Sequence, residues 1–168
     1  MINPINNSTK QIHFLLGSNI GDRLNMLKLA TNHLKDEFEI THKSAIYESE
    51  AWGNENQAKF LNQAISANTN LSAEEVLIHI KMIEEKLGRR KSNRWFPRCI
   101  DIDIIFYGEE VIELPHLIIP HKHFHQRKFA LLPFEELIPN FVHPKLNKTI
   151  GQLVIECNDE LQVEKLNH

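Results

Sequence analysis

The stretch Arg94–Gly108 reads RWFPRCIDIDIIFYG, and its second half decides how the chain is folded. A run this rich in isoleucine is expected to be a buried strand. In a strand, residues i and i+2 point the same way. Ile100, Ile102, Ile104 and Phe106 are therefore expected on a core face, with Asp101 and Asp103 together on the opposite face. At a normal strand rise the Cα atoms of the two aspartates lie about 6.5 Å apart. Carboxylates at that separation repel by roughly 2 kcal/mol at an effective dielectric of 20. A hard divalent cation removes that cost, and Mg²⁺ takes one or two carboxylates plus substrate phosphate oxygens. An isolated Asp-x-Asp could equally face water or pair with Arg98, so the neighbours carry the argument.

Those neighbours are basic. Arg89, Arg90, Lys91, Arg94 and Arg98 precede the aspartates in a loop that also holds Trp95, a residue hard to explain as core. Arginine offers phosphate a bidentate fork that lysine lacks. A basic loop beside an acidic pair suits nucleoside triphosphate chemistry, in which positioning and charge neutralisation carry most of the catalysis. The chain has no Gly-rich Walker lysine motif and no kinase signature. Phosphates would have to be held by side chains and metal.

Working outward, Gln11–Leu16 reads as a strand followed by a GSN turn, and Gly21-Asp22 opens a helix with Leu24, Leu27, Ala30 and Leu34 at helical spacing. Ile40–Tyr47 and Phe60–Thr69 read as a second and a third strand. Ser72 and Glu75 form a capping box for a helix carrying Val76, Leu77, Ile80, Ile83 and Leu87, which Gly88 stops. After the isoleucine strand come short extended pieces near Val111 and Leu117 and a helix near Arg127–Leu137. The last 25 or so residues are weakly patterned against either period. Strand, helix, strand, strand, helix, strand implies an α+β, ferredoxin-like (βαββαβ) antiparallel sheet sandwich, with helices on one face and a C-terminal extension as decoration. With no linker or repeat, residues 1–168 are expected to form a single domain.

Composition narrows the function class. Apolar residues make up 42% and charged residues 24%, the balance of a globular chain. A net charge of −3 makes long-range attraction to nucleic acid or an anionic membrane an unsuitable main role. Two cysteines build no disulfide framework, and the N-terminal residues do not read as a signal peptide. A cytoplasmic setting is expected, with no membrane or nucleic-acid partner.

Four segments together resemble the 6-hydroxymethyl-7,8-dihydropterin pyrophosphokinase family of folate biosynthesis. They are LLGSNIGDR (Leu15–Arg23), YESEAWGNENQAKFLNQ (Tyr47–Gln63), EEKLGRRKSNRWFPRCIDIDIIFYG (Glu84–Gly108) and LIIPHKHFHQRKFALLPFEELIP (Leu117–Pro139). The resemblance implies an α/β sandwich on a ferredoxin-like core, and transfer of the pyrophosphoryl group of ATP to the pterin hydroxymethyl oxygen with release of AMP. It implies that Asp101 and Asp103 bind two Mg²⁺ ions, with ATP as co-substrate. Arg89 and Arg98 would act with them on the triphosphate, and Trp95 would help close the loop over ATP and pterin. His121 and Arg127 match positions that contact phosphates, and Glu84 one that contacts the nucleotide. Asn62 would hydrogen-bond the pterin ring, Phe60 and Phe129 would sandwich it, and the Ser49 segment would supply backbone groups. A small-molecule enzyme acting as a monomer is expected. The chain departs from the family pattern at Glu50, where proline is usual, and at Lys91, which replaces a second loop arginine.

Other readings are weaker. His116, His121, His123 and His125 lie close in sequence, but their spacing fixes no tetrahedral zinc site and no cysteine is near. A ferredoxin-like RNA-binding module needs exposed aromatics on its central strands, where this chain has two acids. A cyclase or polymerase-like palm would share the metal pair; Asn62, Phe60 and Phe129 favour a pterin acceptor over a nucleotide.

Overall fold

The computed structural model of the chain describes residues 8–53, 56–88 and 99–167. Strand β1 (Lys10–Ser18) leads into helix α1 (Arg23–Glu37), whose first turn is closed by the Asp22 carboxylate accepting from the Asn25 amide at 3.0 Å. Strands β2 (Glu39–Lys43), β3 (Tyr47–Ser49) and β4 (Phe60–Thr69) follow, then helix α2 (Ala73–Lys86) and strand β5 (Asp101–Tyr107). The capping box of α2 forms as expected: the Ser72 hydroxyl accepts from the Glu75 amide, and the Glu75 carboxylate accepts from the Ser72 amide. The helix ends just before Gly88, whose φ of +89° is a left-handed conformation that favours glycine.

The main sheet runs β5–β1–β4–β3 and ends on β8 (Val163–Lys165), with β2 also pairing to β4 and every ladder antiparallel. Two expected boundaries shift. The GSN turn does not begin at Gly17, because β1 continues through Ser18. The second strand is not continuous over Ile40–Tyr47: it breaks into β2 and β3 at Ser44, whose hydroxyl accepts the Ala64 amide at 2.9 Å in place of a ladder carbonyl.

Both faces of the sheet are covered, which corrects the one-sided arrangement. Helices α1 and α2 pack on one face through Leu27, Ala30, Leu34, Val76, Ile80 and Ile83, against Ile12, Phe14, Leu61 and Ile65. Helices α3 (Lys128–Leu137) and α4 (Ile150–Glu156) cover part of the other, burying Leu131, Phe134, Ile150 and Leu153 against Leu15, Ala64, Ile105 and Phe106. Between β5 and α3, strands β6 (Ile112–Leu114) and β7 (Leu117–Ile119) form a small antiparallel pair. The tail is more ordered than its pattern suggests: Thr149 and Gln152 cap α4, and β8 adds an edge strand to β3. A three-residue strand is too short to show a period.

The isoleucine strand carries the expected split of faces, with one correction. Ile100, Ile102 and Ile104 enter the α1/α2 core, but Phe106 does not. In the pairing with β1, Phe14 stands opposite Ile104 and His13 opposite Phe106, so Ile105 is an extra residue in a β-bulge. The bulge places both Ile105 and Phe106 in the α3/α4 core and returns Tyr107 to the other side.

Candidate active site

Residues opposite one another in an antiparallel ladder point to the same face, so the register assembles the site row by row. Asp103 pairs with Leu15, and Leu15 with Ala64, which fixes that row on the α3/α4 face. One row further along the sheet, Asp101 pairs with Gly17, Gly17 with Asn62 and Asn62 with Tyr47. Beyond it, Ser49 pairs with Phe60. Both aspartates, Asn62, Phe60 and Ser49 therefore look out on one side, past the apolar patch that α3 and α4 cover. Asp101 and Asn62 are two strand spacings apart, about 10 Å.

The floor between them is Gly17. A Cβ there would lie 3.5 Å from the Asn62 Oδ1 and 3.7 Å from the Phe60 ring. The amide oxygen and the aromatic edge thus converge on space that any other residue would fill. Asn62 is buried, and its Nδ2 donates to the Ser49 Oγ at 2.8 Å, which fixes the direction of the amide. Ser49 is equally buried, whereas Phe60 and Phe129 are half-buried with part of each ring accessible.

Three carboxylates crowd the edge strand. Asp103 is pushed up to about 6, first by burial and then by the negative charges of Asp101 and Glu84; Arg127 and Lys81 oppose the shift. Glu84 lies on α2, almost fully buried, behind β5 rather than on the open face. It accepts the Ile102 amide at 2.8 Å and the Lys81 Nζ at 3.1 Å. Ile102 is the residue between the two aspartates, so this contact from α2 fixes the strand edge that carries them.

The arrangement fits a divalent cation of the magnesium type. Two carboxylates on one strand face are held where their own repulsion raises a pKa, and a cation would relieve that strain. Among the described residues no cluster of three or more ligating side chains occurs, so the remaining ligands would be phosphate oxygens and water, as Mg²⁺ prefers. The histidines do not form the zinc cage weighed above: His116 pairs with Glu74 at 2.9 Å on the surface, and the Nδ1 of His121 accepts the His123 amide.

Arg127 stands at the N-cap position of α3 without a side-chain capping bond; burial lowers its pKa, and the charges of Asp103 and Asp159 raise it. Its guanidinium lies over two aromatic rings, 4.6 Å from the centroid of Trp52 and 5.9 Å from that of Phe129. His121 is tied to β5 through its backbone amide, which donates to the Ile105 carbonyl at 3.2 Å. Burial, then the charges of Arg127 and His123, hold His121 down to about 4, so its ring is neutral at pH 7.

Of the residues singled out in the sequence, Ser49, Phe60, Asn62, Asp101 and Asp103 share one sheet face. His121, Arg127 and Phe129 come from the segment beside it, and Glu84 stands behind it. Arg89, Trp95 and Arg98 lie outside the described residues. Two further residues belong to the site. Gly17 was legible as a glycine inside a strand, a mark of close approach, once the strand is extended past Leu16. Trp52, 44% exposed, carried no periodic signal.

Residues 13–139 match the family model described as 7,8-dihydro-6-hydroxymethylpterin-pyrophosphokinase. The chain is 42% identical over 141 residues to the 2-amino-4-hydroxy-6-hydroxymethyldihydropteridine pyrophosphokinase of Aquifex aeolicus, covering 84% of this chain and 88% of that one. It is 41% identical over 127 residues to the protein of the same name from Bacillus subtilis, covering 74% and 76%. Among solved structures, wild-type Plasmodium falciparum HPPK-DHPS superposes with a TM-score of 0.68 at 19% identity, over 89% of this chain. The chain spans 45% of that longer protein, and the likeness speaks for the fold alone. Sequence identity, the family match and the fold lead to one assignment: the chain belongs to the 7,8-dihydro-6-hydroxymethylpterin-pyrophosphokinase family.

Proposed function

We infer that this chain transfers the pyrophosphoryl group of ATP to the hydroxymethyl oxygen of 6-hydroxymethyl-7,8-dihydropterin, releasing AMP, as a step of folate synthesis. One observation carries the reading beyond family membership. The carboxylate pair and the Asn62–Ser49–Phe60 pocket open on the same sheet face, about 10 Å apart by strand spacing. That span matches a bicyclic heteroaromatic plus its one-carbon arm.

In this reading the pterin lies over Gly17, with its ring edge on the Asn62 amide and its faces against Phe60 and Phe129. Its hydroxymethyl oxygen attacks the β-phosphorus of ATP. The bond from that phosphorus to the oxygen bridging to the α-phosphorus breaks, AMP leaves with the bridging oxygen, and the hydroxyl proton is released. Asp101 and Asp103 would hold two Mg²⁺ ions, which would supply positive charge against the charge that develops on the phosphates. Arg127 supplies a permanent cation beside the phosphates, and neutral His121 a hydrogen-bonding group without charge. Glu84 contributes by fixing β5 and by its place next to the nucleotide side. Arg89, Arg98 and Trp95 would close over the triphosphate from the basic loop.

All of these groups come from one chain, so the proposed site is complete without a second copy. No helix among the described residues is long and apolar enough to cross a membrane. The test is the product. With ATP, Mg²⁺ and hydroxymethyl-dihydropterin all present, AMP is expected in step with pterin consumption, and no nucleotide product when the pterin or Mg²⁺ is left out. Formation of ADP would refute pyrophosphoryl transfer.

A further inference from the structure

The Trp52 indole is a large apolar surface left 44% exposed on the segment that follows β3, and core packing does not explain it. It lies against the Arg127 guanidinium at 4.6 Å, inside the range in which a cation is attracted by the face of an aromatic ring. Arg127 reaches this position without a carboxylate partner closer than salt-bridge distance among the described residues. Its Nε is buried with no hydrogen-bond acceptor. Asp103 and Asp159 act on it by charge, but its direct contacts are two aromatic faces, Trp52 and Phe129. Both rings spread their attraction over a face, so they hold the cation in place yet leave its N–H donors unspent.

We propose that Trp52 is a positioning residue for Arg127, holding the guanidinium over its indole so that the unspent donors meet the phosphate oxygens of an incoming nucleoside triphosphate. This deepens the function proposed above and rests on its assignment of Arg127 to the triphosphate. It also links the two substrates. Trp52 stands three residues after Ser49, on the chain segment that walls the pterin pocket, while Phe129 is both a partner of Arg127 and a wall of that pocket. A ring entering against Phe129 competes with the guanidinium for that face and leaves Trp52 as its remaining aromatic support. Arginine is suited to this dual use, because its flat cation stacks on aromatics and forks to phosphate, whereas lysine does neither as well.

The test is a double-mutant cycle on Trp52→Ala and Arg127→Ala, read by calorimetric binding of a non-hydrolysable ATP analogue with Mg²⁺. Binding does not require turnover, so the result stands whether or not AMP forms in the activity assay. Trp52→Ala is expected to weaken the analogue about fivefold in the wild-type background. Trp52→Phe should recover most of that loss, and Trp52→Ala should add nothing once Arg127 is alanine. In steady state the change should fall on the KM for ATP more than on that for the pterin. An equal loss with Arg127 present or absent would overturn the proposal, since Trp52 would then act independently of the arginine. Unchanged analogue affinity, or a loss confined to the pterin KM, would overturn it as well. A failure of the function itself would show differently, as wild-type protein that binds the analogue but makes no AMP.

Discussion

Replacing Glu84 separates what holds the strand of the two aspartates from what charges it. In Glu84→Ala the Ile102 amide, buried between the two aspartates, loses its acceptor at 2.8 Å. A buried donor left unpaired costs ~1–3 kcal/mol. The space left by the missing carboxymethyl atoms adds about 1 kcal/mol in a packed interior. Removing the negative charge that helps raise Asp103 returns about 1 kcal/mol at an effective protein dielectric. The lost pair with Lys81 counts for little, since the lysine side chain is 55% exposed. The net is about 2 kcal/mol of destabilisation, a fall in melting temperature of roughly 4–8 °C for a domain this size. Glu84→Gln keeps an oxygen where the amide needs one and drops the charge, so it should stay within about 1 kcal/mol of wild type. In that variant the Asp103 carboxyl should also move from about 6 back toward the usual carboxylate range. Urea unfolding at pH 7.5 reads the first quantity, and a carboxyl NMR titration of the metal-free protein reads the second. If Glu84→Ala is as stable as wild type, the Ile102 contact does not hold the strand. If Glu84→Gln is as unstable as Glu84→Ala, charge rather than the acceptor does the holding.

Two other outcomes are expected. Gly17→Val should raise the KM for hydroxymethyl-dihydropterin by at least tenfold while leaving nucleotide-analogue affinity near wild type, because its side chain would stand between the Asn62 oxygen and the Phe60 ring; equal effects on both substrates would remove Gly17 from the pterin floor. Stability should fall between pH 7.5 and 5, because His13 and His143 are buried and, like His121, held down to about 4. Their folded pKa lies below the unfolded value of about 6.5, so the unfolded chain takes up protons first, and the stability present above that value is lost as pH falls. Each contributes about 2 kcal/mol of loss at pH 5. Asp103, raised to about 6, works in the opposite direction and returns about 1 kcal/mol, since there the folded form binds the proton first. Urea midpoints that match at the two pH values would show that the buried imidazoles do not titrate this way.

Much of the architecture was legible because long elements impose their period on the sequence. Phe60–Thr69 reads as a strand and is one, and the Ser72–Glu75 box starts α2 where it should. The failures are local. No period reveals that Ser44 splits a strand by spending its hydroxyl on a neighbouring amide, or that three residues, Val163–Lys165, make an edge strand. The pairing of Asn62 with Ser49 depends on register, which spacing within one strand does not fix. The Asp101–Asp103 pair is visible in sequence because i and i+2 suffice to define it. The Arg127–Trp52 contact joins segments 75 residues apart and is visible only in three dimensions.

The extra residue at Ile105 acts on the Asp101–Asp103 pair from a distance. Phe106 is locked among Phe124, Phe134 and Phe141, and the Tyr107 hydroxyl is anchored to the Leu71 carbonyl at 2.8 Å. With those two residues fixed, regular pairing without the bulge would rotate every residue before it by one face. Asp101 and Asp103 would turn into the α1/α2 core, and isoleucines would line the substrate side. The aim of the carboxylates is thus set by a phase shift in the strand, enforced by aromatic packing in the α3/α4 core. A volume change at Phe106 would turn the two carboxylates away from the candidate site without altering any residue proposed to line it.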